Sequence, residues 1–222
     1  MKYNSIRPGQ VWLDTNGNRI QAHGGSIMYL DGTYYWYGEN KEKTTGENDI
    51  WHWGVRCYTS QDLYNWEDCG VIIPPEPENP ESSLHPSSQM DRPHIIYNKE
   101  TKKYVAWLKI MHRDGTQTET VMTADDILGP YTKVREGLKP LNMSAGDFDL
   151  AVAPDGKAYY YFERVHSETI CAGSDCGLYG CNRLLQHTFS AYPTAFCKGS
   201  NSSLPAEREA LSYYFRDYGV PA

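Results

Sequence analysis

The sequence has no excess of basic residues, no long apolar run and little sign of helices. Its 21 lysine and arginine residues are outnumbered by 28 aspartate and glutamate residues, which gives a net charge of −7. This acidic balance, with no basic stripe along the chain, disfavours a nucleic-acid partner. No apolar run approaches the about 18 residues that a membrane-spanning helix needs, so no membrane partner is expected.

The first residues, "MKYNSIRPGQVWLDTNG", contain no apolar segment of the kind found in secretory signals, so a cytoplasmic location is expected. Cysteine is sparse, with six residues in the chain. Four of them, Cys171, Cys176, Cys181 and Cys197, are spaced by five, five and sixteen residues, unlike the close pairs of structural zinc sites. No structural zinc site is therefore expected. No metal ligand set and no cofactor is predicted, while the presence of a central ion and the oligomeric state are left open.

Aromatic residues are abundant, with 18 tyrosines and 6 tryptophans. Aromatic side chains favour β-strands. Their flat faces also suit the C–H-rich faces of sugars. For any single aromatic residue, a place in a β core is at least as good an interpretation as a sugar-binding role.

Three stretches of the sequence predict β-hairpins. They are "SIMYLDGTYYWYGE" (26–39), "PHIIYNKETKKYVAWLK" (93–109) and "DLAVAPDGKAYYYFE" (149–163). The first and third place Asp-Gly between alternating apolar residues, a strong hairpin signal. Each of the first two hairpins is followed by a second motif with two further strands, "YTSQDLYNWEDCGVI" (58–72) and "VMTADDILGPYTKVREG" (121–137). A four-stranded unit of about 60 residues, used three times, is typical of a β-propeller.

The segments "IQAHGGSIMYLDGTYYWYGENK", "DRPHIIYNKETKKYVAWLK" and "SAGDFDLAVAPDGKAYYYFERVHSE" resemble glycoside hydrolase family 43, and most closely its exo-β-1,3-galactanase branch. The resemblance covers residues 10 to 172. It implies an all-β, five-bladed β-propeller, of which this chain would hold about three blades followed by an irregular C-terminal tail. It also implies an oligosaccharide or polysaccharide substrate and hydrolysis with inversion.

Inverting hydrolysis uses two carboxyl groups, an acid that must hold a proton and a base that activates water. Asp147 matches the family's aspartate that tunes the pKa of the catalytic acid and orients it. The alternative interpretation is that Asp147 caps the start of a strand. Asp149 lies two residues on, on the same face of a strand; it ranks second to Asp147 and is expected to bind substrate. Asp91 lies where the galactanase branch carries a glutamate. It is a further candidate for the catalytic centre, with sugar binding as its expected role.

Three other positions are expected to bind substrate. The branch replaces the family's usual base aspartate, and "AHGGSI" stands there in this chain. His23 and Gly24 are therefore expected to line the sugar pocket, with a structural histidine as the alternative. Glu39 ends its strand and could bind a sugar hydroxyl or be solvated. Arg92, next to Asp91, is expected by alternation to point elsewhere, into a structural ion pair.

After Ala172 the sequence stops matching the repeat, and the acid glutamate of the fourth blade is missing. Read one base later, codons from Gly173 onward permit "DLTADYTDVTGYYST" and then "PPPFVREATALFRRNGKHYLITSGTTGY". These strings restore the missing blade motif and a glutamate followed by a hairpin. We interpret residues 1–172 as a partial propeller glycosidase domain. Residues 173–222 are interpreted as a frame-shifted, poorly ordered end of a truncated reading frame.

The expected function depends on residues 1–172, which resemble the family, and on residues 173–222, which lack the acid glutamate. The family predicts a glycoside hydrolase that acts on galactan or on plant-type polysaccharide side chains. Without the acid glutamate, the activity of this chain is expected to be impaired. The alternative is a carbohydrate-binding propeller fragment that does not catalyse hydrolysis.

Overall fold

The described part of the chain folds into three four-stranded antiparallel sheets. The computed structural model describes residues 2–144, 146–164, 168–174 and 181–189. Within each sheet, neighbouring strands follow one another along the chain. Blade 1 contains β1 (His23–Leu30), β2 (Thr33–Glu39), β3 (Val55–Ser60) and β4 (Glu67–Ile73). Blade 2 contains β5 (Gln89–Asn98), β6 (Lys103–Met111), β7 (Gln117–Ala124) and β8 (Thr132–Leu138). Blade 3 contains β9 (Phe148–Val152), β10 (Ala158–Arg164), β11 (Glu168–Ser174) and β12 (Cys181–Phe189).

The first strands of the three blades lie side by side, β1 against β5 and β5 against β9. Meandering four-stranded sheets whose first strands lie side by side are the arrangement of a β-propeller. The described residues contain no α-helix and one 3-10 turn, Pro140–Asn142. No helix in them is long and apolar enough to span a membrane. The predicted all-β fold with about three blades is confirmed.

The two Asp-Gly hairpins differ in their turns. Asp31 and Gly32 both have positive φ, 48° and 86°, and form a two-residue turn between Leu30 and Thr33. This is the tight turn that Asp-Gly favours, because it matches the twist of the flanking strands. In blade 3 the loop is longer: the amide of Ala153 donates to the carbonyl of Lys157 at 2.8 Å, and Gly156 has a φ of 86°. The chain there reverses through the five residues 153–157 that separate β9 from β10.

Apolar side chains fill the seams between blades. Phe148, Tyr160 and Phe162 of blade 3 pack against Val105 and Trp107 of blade 2, and all five are at most 5% exposed. The seam between blades 1 and 2 is filled in the same way by residues of both blades. Burying one such side chain contributes about 1.5–3 kcal/mol to folding. Many of the abundant aromatic residues therefore serve the core.

A row of three tryptophans joins the N-terminal segment to blade 1. Trp36 lies on β2 and contacts Trp12 and Trp66, with ring centroids 4.9 and 5.2 Å apart. Trp66 is completely buried. The segment that carries Trp12 folds back on itself, because the amide of Ile20 donates to the carbonyl of Trp12 at 2.9 Å. The tryptophan row thus covers the face of blade 1 that does not pack on blade 2.

The structure describes part of the C-terminal segment. Residues of β12, such as His187, pair with β11, where Ile170 is the partner. The predicted tail therefore contributes the fourth strand of blade 3. Residues 190–222 lie outside the described residues, so poor order of the whole segment 173–222 stays a prediction.

Candidate functional site

Carboxylates from all three blades meet where the inner strands begin. Asp91 lies near the start of β5, Asp147 directly precedes β9, and Glu39 ends β2. These positions are at the same end of the propeller because β1, β5 and β9 run in the same direction around its centre. The structure thus brings Asp91, Asp147, Glu39 and His23 together, as the sequence predicts for a central site.

Lys109 on β6 binds two of these carboxylates. Its ammonium nitrogen lies 2.6 Å from Oδ1 of Asp147 and 3.2 Å from Oδ2 of Asp91, and its side chain is 3% exposed. Burial pushes the pKa of Asp91 upward, but the hydrogen bond with Glu39 and the charge of Lys109 outweigh it and lower the pKa to about 2. Burial also acts upward on the pKa of Asp147, and Lys109 and Arg92 lower it. Both aspartates are therefore ionised at neutral pH.

Arg92 points into the site. Its Nη2 lies 2.5 Å from Oδ2 of Asp147. Strand alternation predicts that it points elsewhere, but the pairing of β5 with β6 shifts between Asp91 and His94, and Arg92 has a φ of 47°. Such a bulge re-aims the side chains that follow it. The expected ion pair exists, and its partner is Asp147 itself. The side chain of Asp147 thus reaches across the seam between blades 2 and 3.

Glu39 is the proton-holding carboxyl of the cluster. Its side chain is completely buried, so it is not the solvated group that its strand-end position allows. Burial and a hydrogen bond with Asp91 raise its pKa to about 8, against the opposing influence of Lys41, whose Nζ lies 2.5 Å from Oε2. At neutral pH, Glu39 is therefore mostly protonated and Asp91 carries the negative charge of the pair.

His23 and Gly24 enclose this pair from blade 1. Nδ1 of His23 lies 3.2 Å from Oε1 of Glu39, and the imidazole is largely exposed. Gly24 has a φ of 60°, and a Cβ atom there would lie 2.8 Å from Oε1 of Glu39 and 3.0 Å from Oδ1 of Asp91. A glycine is required at this position because a side chain would displace both carboxyl groups.

Asp149 lies beside this cluster with a different partner. Its Oδ1 is 3.0 Å from Nε2 of His94, whose ring also contacts Phe148. His94 is nearly buried, and the Asp149 side chain is 39% exposed. Asp149 therefore sits at the seam between β5 and β9, next to the carboxylates that Lys109 holds.

Three atoms of His23, Glu39 and Asp91 lie within 4.8 Å of one another and could, by atom type, ligate a cation. Two lysines already occupy these carboxyl groups, Lys41 on Glu39 and Lys109 on Asp91. The ammonium groups lie on Oε2 of Glu39 and Oδ2 of Asp91, whereas Oε1 and Oδ1 face Gly24, so a cation bound by His23, Oε1 and Oδ1 would compete with the proton that Glu39 holds. The positive charges of both lysines also disfavour a cation beside them.

The sequence-based reasoning missed Lys109 and Lys41. Lys109 stands alone in the apolar run "VAWLKIM" of a central strand. A lone charge in such a run indicates a buried group that needs a charged partner. Its two partners come from different blades, so the sequence gives no spacing that would identify them.

Comparison with known proteins agrees with the propeller fold. Residues 19–185 match the model of the family "Glycosyl hydrolases family 43". An exo-β-1,3-galactanase from Phanerochaete chrysosporium, solved with galactose, is 29% identical with a TM-score of 0.76; the match covers 85% of this chain and 43% of that one. A family 43 β-1,3-galactosidase is 32% identical with a TM-score of 0.72, over 84% of this chain and 39% of that one.

An exo-β-1,3-galactanase from Clostridium thermocellum is 26% identical with a TM-score of 0.71; the match covers 83% of this chain and 41% of that one. The chain thus spans about two fifths of the length of these three structures. No curated protein sequence matches the chain significantly.

Proposed function

Because the chain belongs to glycosyl hydrolase family 43, we propose that its central site binds galactose units of β-1,3-linked galactan. The three similar structures described above are named as enzymes of β-1,3-galactan or β-1,3-galactosides. The cluster of Asp91, Asp147, Glu39 and His23 lies within the residues that match the family. The family relationship and the position of the cluster at the centre of the propeller thus both support galactoside binding.

The observation that carries the proposal is the pair of ionised aspartates on one buried lysine. Ionised carboxylates are strong hydrogen-bond acceptors for sugar hydroxyl groups. Asp147 is 47% exposed and Asp91 is 18% exposed, so ligand can reach both. Because Lys109 and Arg92 fix the orientation of Asp147, its oxygens are held in place before the ligand arrives.

We propose that hydrolysis by this chain is impaired. Oδ2 of Asp91 and Oδ1 of Asp147 lie 3.2 and 2.6 Å from the same ammonium nitrogen, so the two carboxylates share one ion-pair partner. Both are ionised, so neither can donate a proton. In the described part of the chain the two glutamates with a raised pKa, Glu39 and Glu119, are completely buried. Neither is placed to protonate a leaving group.

The complete loss of hydrolysis, with sugar binding retained, is favoured by the same charges. A site whose accessible carboxylates are ionised can hold a galactoside through its hydroxyl groups. It then lacks the proton donor that bond cleavage needs. Hydrolysis and binding are therefore measured separately.

Replacing Asp147 with asparagine is expected to weaken galactoside binding about tenfold or more, because a charged acceptor and its fixed orientation are lost. Calorimetric titration with galactose and β-1,3-galactobiose measures the effect. Asp125→Asn is the control, since Asp125 is 86% exposed and pairs with Lys103 near the turns at the far end of blade 2. An unmodified chain that binds neither sugar contradicts the proposed function. Galactose release that Asp147→Asn abolishes contradicts the proposed impairment.

We further propose that residues 173–222 are read in a shifted frame. Support comes from the blade motif and the downstream glutamate that the alternative frame restores. The family match ends at residue 185, before most of this segment. Sequencing the coding DNA is expected to show codons that encode "DLTADYTDVTGYYST" one base later. Codons that cannot encode this string overturn the proposal.

A further inference from the structure

Lys109 is a buried cation at the seam between blades 2 and 3. The residues before and after it on β6, Leu108 and Ile110, belong to the apolar core. A buried ammonium group is unfavourable unless charged partners compensate it. Lys109 has two such partners, Asp91 of its own blade and Asp147 of blade 3.

Charged and titratable side chains surround Lys109 on the strands and loops packed against it. On β7, Glu119 is its register partner, and the charge of Lys109 acts on that carboxyl group. Arg92 shares Asp147 with Lys109, and Glu39 shares Asp91. His23 and Lys41 contact Glu39 and are the remaining titratable groups of this cluster.

Lys109 places the two aspartates relative to each other. In the part of the chain that the structure describes, it is the one side chain bonded to both, and it approaches a single oxygen of each. The second oxygen of Asp147 lies on Arg92, so that carboxylate is held at both ends. Asp91 is held from the other side by Glu39 and by the amide of its neighbour, 2.9 Å from Oδ1. Removing the ammonium group would leave two carboxylates facing each other across the seam.

We propose that Lys109 is the positioning residue of the sugar site: its ammonium group holds Asp91 and Asp147 together, in a fixed orientation, across the seam between two blades. This inference rests on the proposed galactoside-binding function. Lys109 itself is 3% exposed, so it acts through the two aspartates and not by touching the ligand. The seam between blades 2 and 3 is thereby part of the binding site.

The test compares Lys109→Met with Lys109→Arg in the full chain. NMR titration of the aspartate carboxyl carbons reads the pKa of Asp91 and Asp147, and calorimetry with β-1,3-galactobiose reads binding. Lys109→Met is expected to raise the pKa of both aspartates by about one unit or more and to weaken binding about tenfold or more. Lys109→Arg retains the charge and is expected to restore most of both properties.

Lys133→Met is the matched control. Lys133 also bridges two carboxylates, Glu76 at 2.9 Å and Glu136 at 3.2 Å, but these lie on the inter-blade loop and on β8. This variant is expected to leave Asp91, Asp147 and sugar binding unchanged. If Lys109→Met does not fold, Lys109→Gln replaces it, because glutamine keeps hydrogen-bond donors and removes the charge.

The outcomes separate this inference from the proposed function. Unchanged titration of Asp91 and Asp147 in the uncharged variant overturns the positioning role. Shifted titration with unchanged galactobiose affinity also overturns it. If the unmodified chain binds no galactoside, the proposed function fails, and the carboxyl titration alone decides whether Lys109 holds the two aspartates.

Discussion

Replacing Glu119 with glutamine is expected to stabilise the protein at about pH 8 and to change its stability little at about pH 5. Glu119 is completely buried on β7, and the hydroxyl group of Tyr160 donates to its Oε1 at 2.8 Å. Its other oxygen has no hydrogen-bond partner among the described residues. Burial raises the pKa of Glu119 to about 8, and the Tyr160 bond and the charge of Lys109 only partly oppose this.

The sign of this stability change follows from the number of protons bound by the folded and the unfolded chain. Between the ordinary glutamate pKa of 4.5 and the raised pKa of about 8, folded Glu119 keeps a proton that the unfolded chain has lost. The free energy of unfolding therefore falls as pH rises through this window. Glutamine is neutral in both the folded and the unfolded chain, so the variant does not lose this part of the unfolding free energy as pH rises. The gain at about pH 8 is expected to be about 2–4 kcal/mol, since relaxation around the ionised group absorbs part of the difference.

Urea unfolding of both proteins at the two pH values measures this effect. Glu67→Gln is the control, because Glu67 is an exposed glutamate at the start of β4. It is expected to leave the pH dependence of the unfolding free energy unchanged. A Glu119→Gln variant with the same pH dependence as the unmodified chain contradicts the burial argument. Glu39 retains its own raised pKa in the variant, so a weaker alkaline loss of stability is expected to remain.

Replacing Gly25 with alanine is expected to cost about 3–5 kcal/mol of folding free energy, or to prevent folding. A Cβ atom at Gly25 would lie 1.7 Å from the carbonyl oxygen of Tyr37 and 2.6 Å from Cα of Gly38. Both contacts are with backbone atoms, so no side-chain rotation relieves them. The first two strands of blade 1 would have to separate at the point that carries His23 and Glu39.

Thermal unfolding and soluble yield measure this loss. Gly32→Ala is the control: Gly32 has a φ of 86° but nothing within 4 Å of its added Cβ. It carries only the backbone cost of a left-handed conformation, about 1–2 kcal/mol. Equal losses for the two variants would show that β1 and β2 move apart easily, contrary to the expected clash.

Much of the fold was predictable because each blade repeats the same local signals. Asp31 and Gly32 specify a two-residue turn, and the alternation on either side specifies which faces are buried. Asp155 and Gly156 give the same local signal, yet the chain reverses through a longer loop between Val152 and Ala158. The sequence does not specify where two paired strands stop, which depends on contacts between blades.

The sequence points to the carboxylates of the candidate site, but it does not predict which of them are ionised. The family resemblance points to Asp91 and Asp147, and the structure places both at strand starts near the centre. Their protonation depends on Lys109, which reaches them from β6 across the seam. Burial of Glu39 likewise depends on packing around Gly24, which no spacing predicts. Arg92 shows the limit of alternation, since one bulge reverses the direction of a side chain.

The row of Trp12, Trp36 and Trp66 has an optical consequence. Indole rings about 5 Å apart are electronically coupled, and Trp66 is shielded from water. Detachment of the N-terminal segment would separate Trp12 from this row and change the emission spectrum, while Trp107 at the other seam would be unaffected. Fluorescence of the unmodified chain, compared with that of a Trp12→Phe variant, can therefore report loosening of the leading segment without an added label.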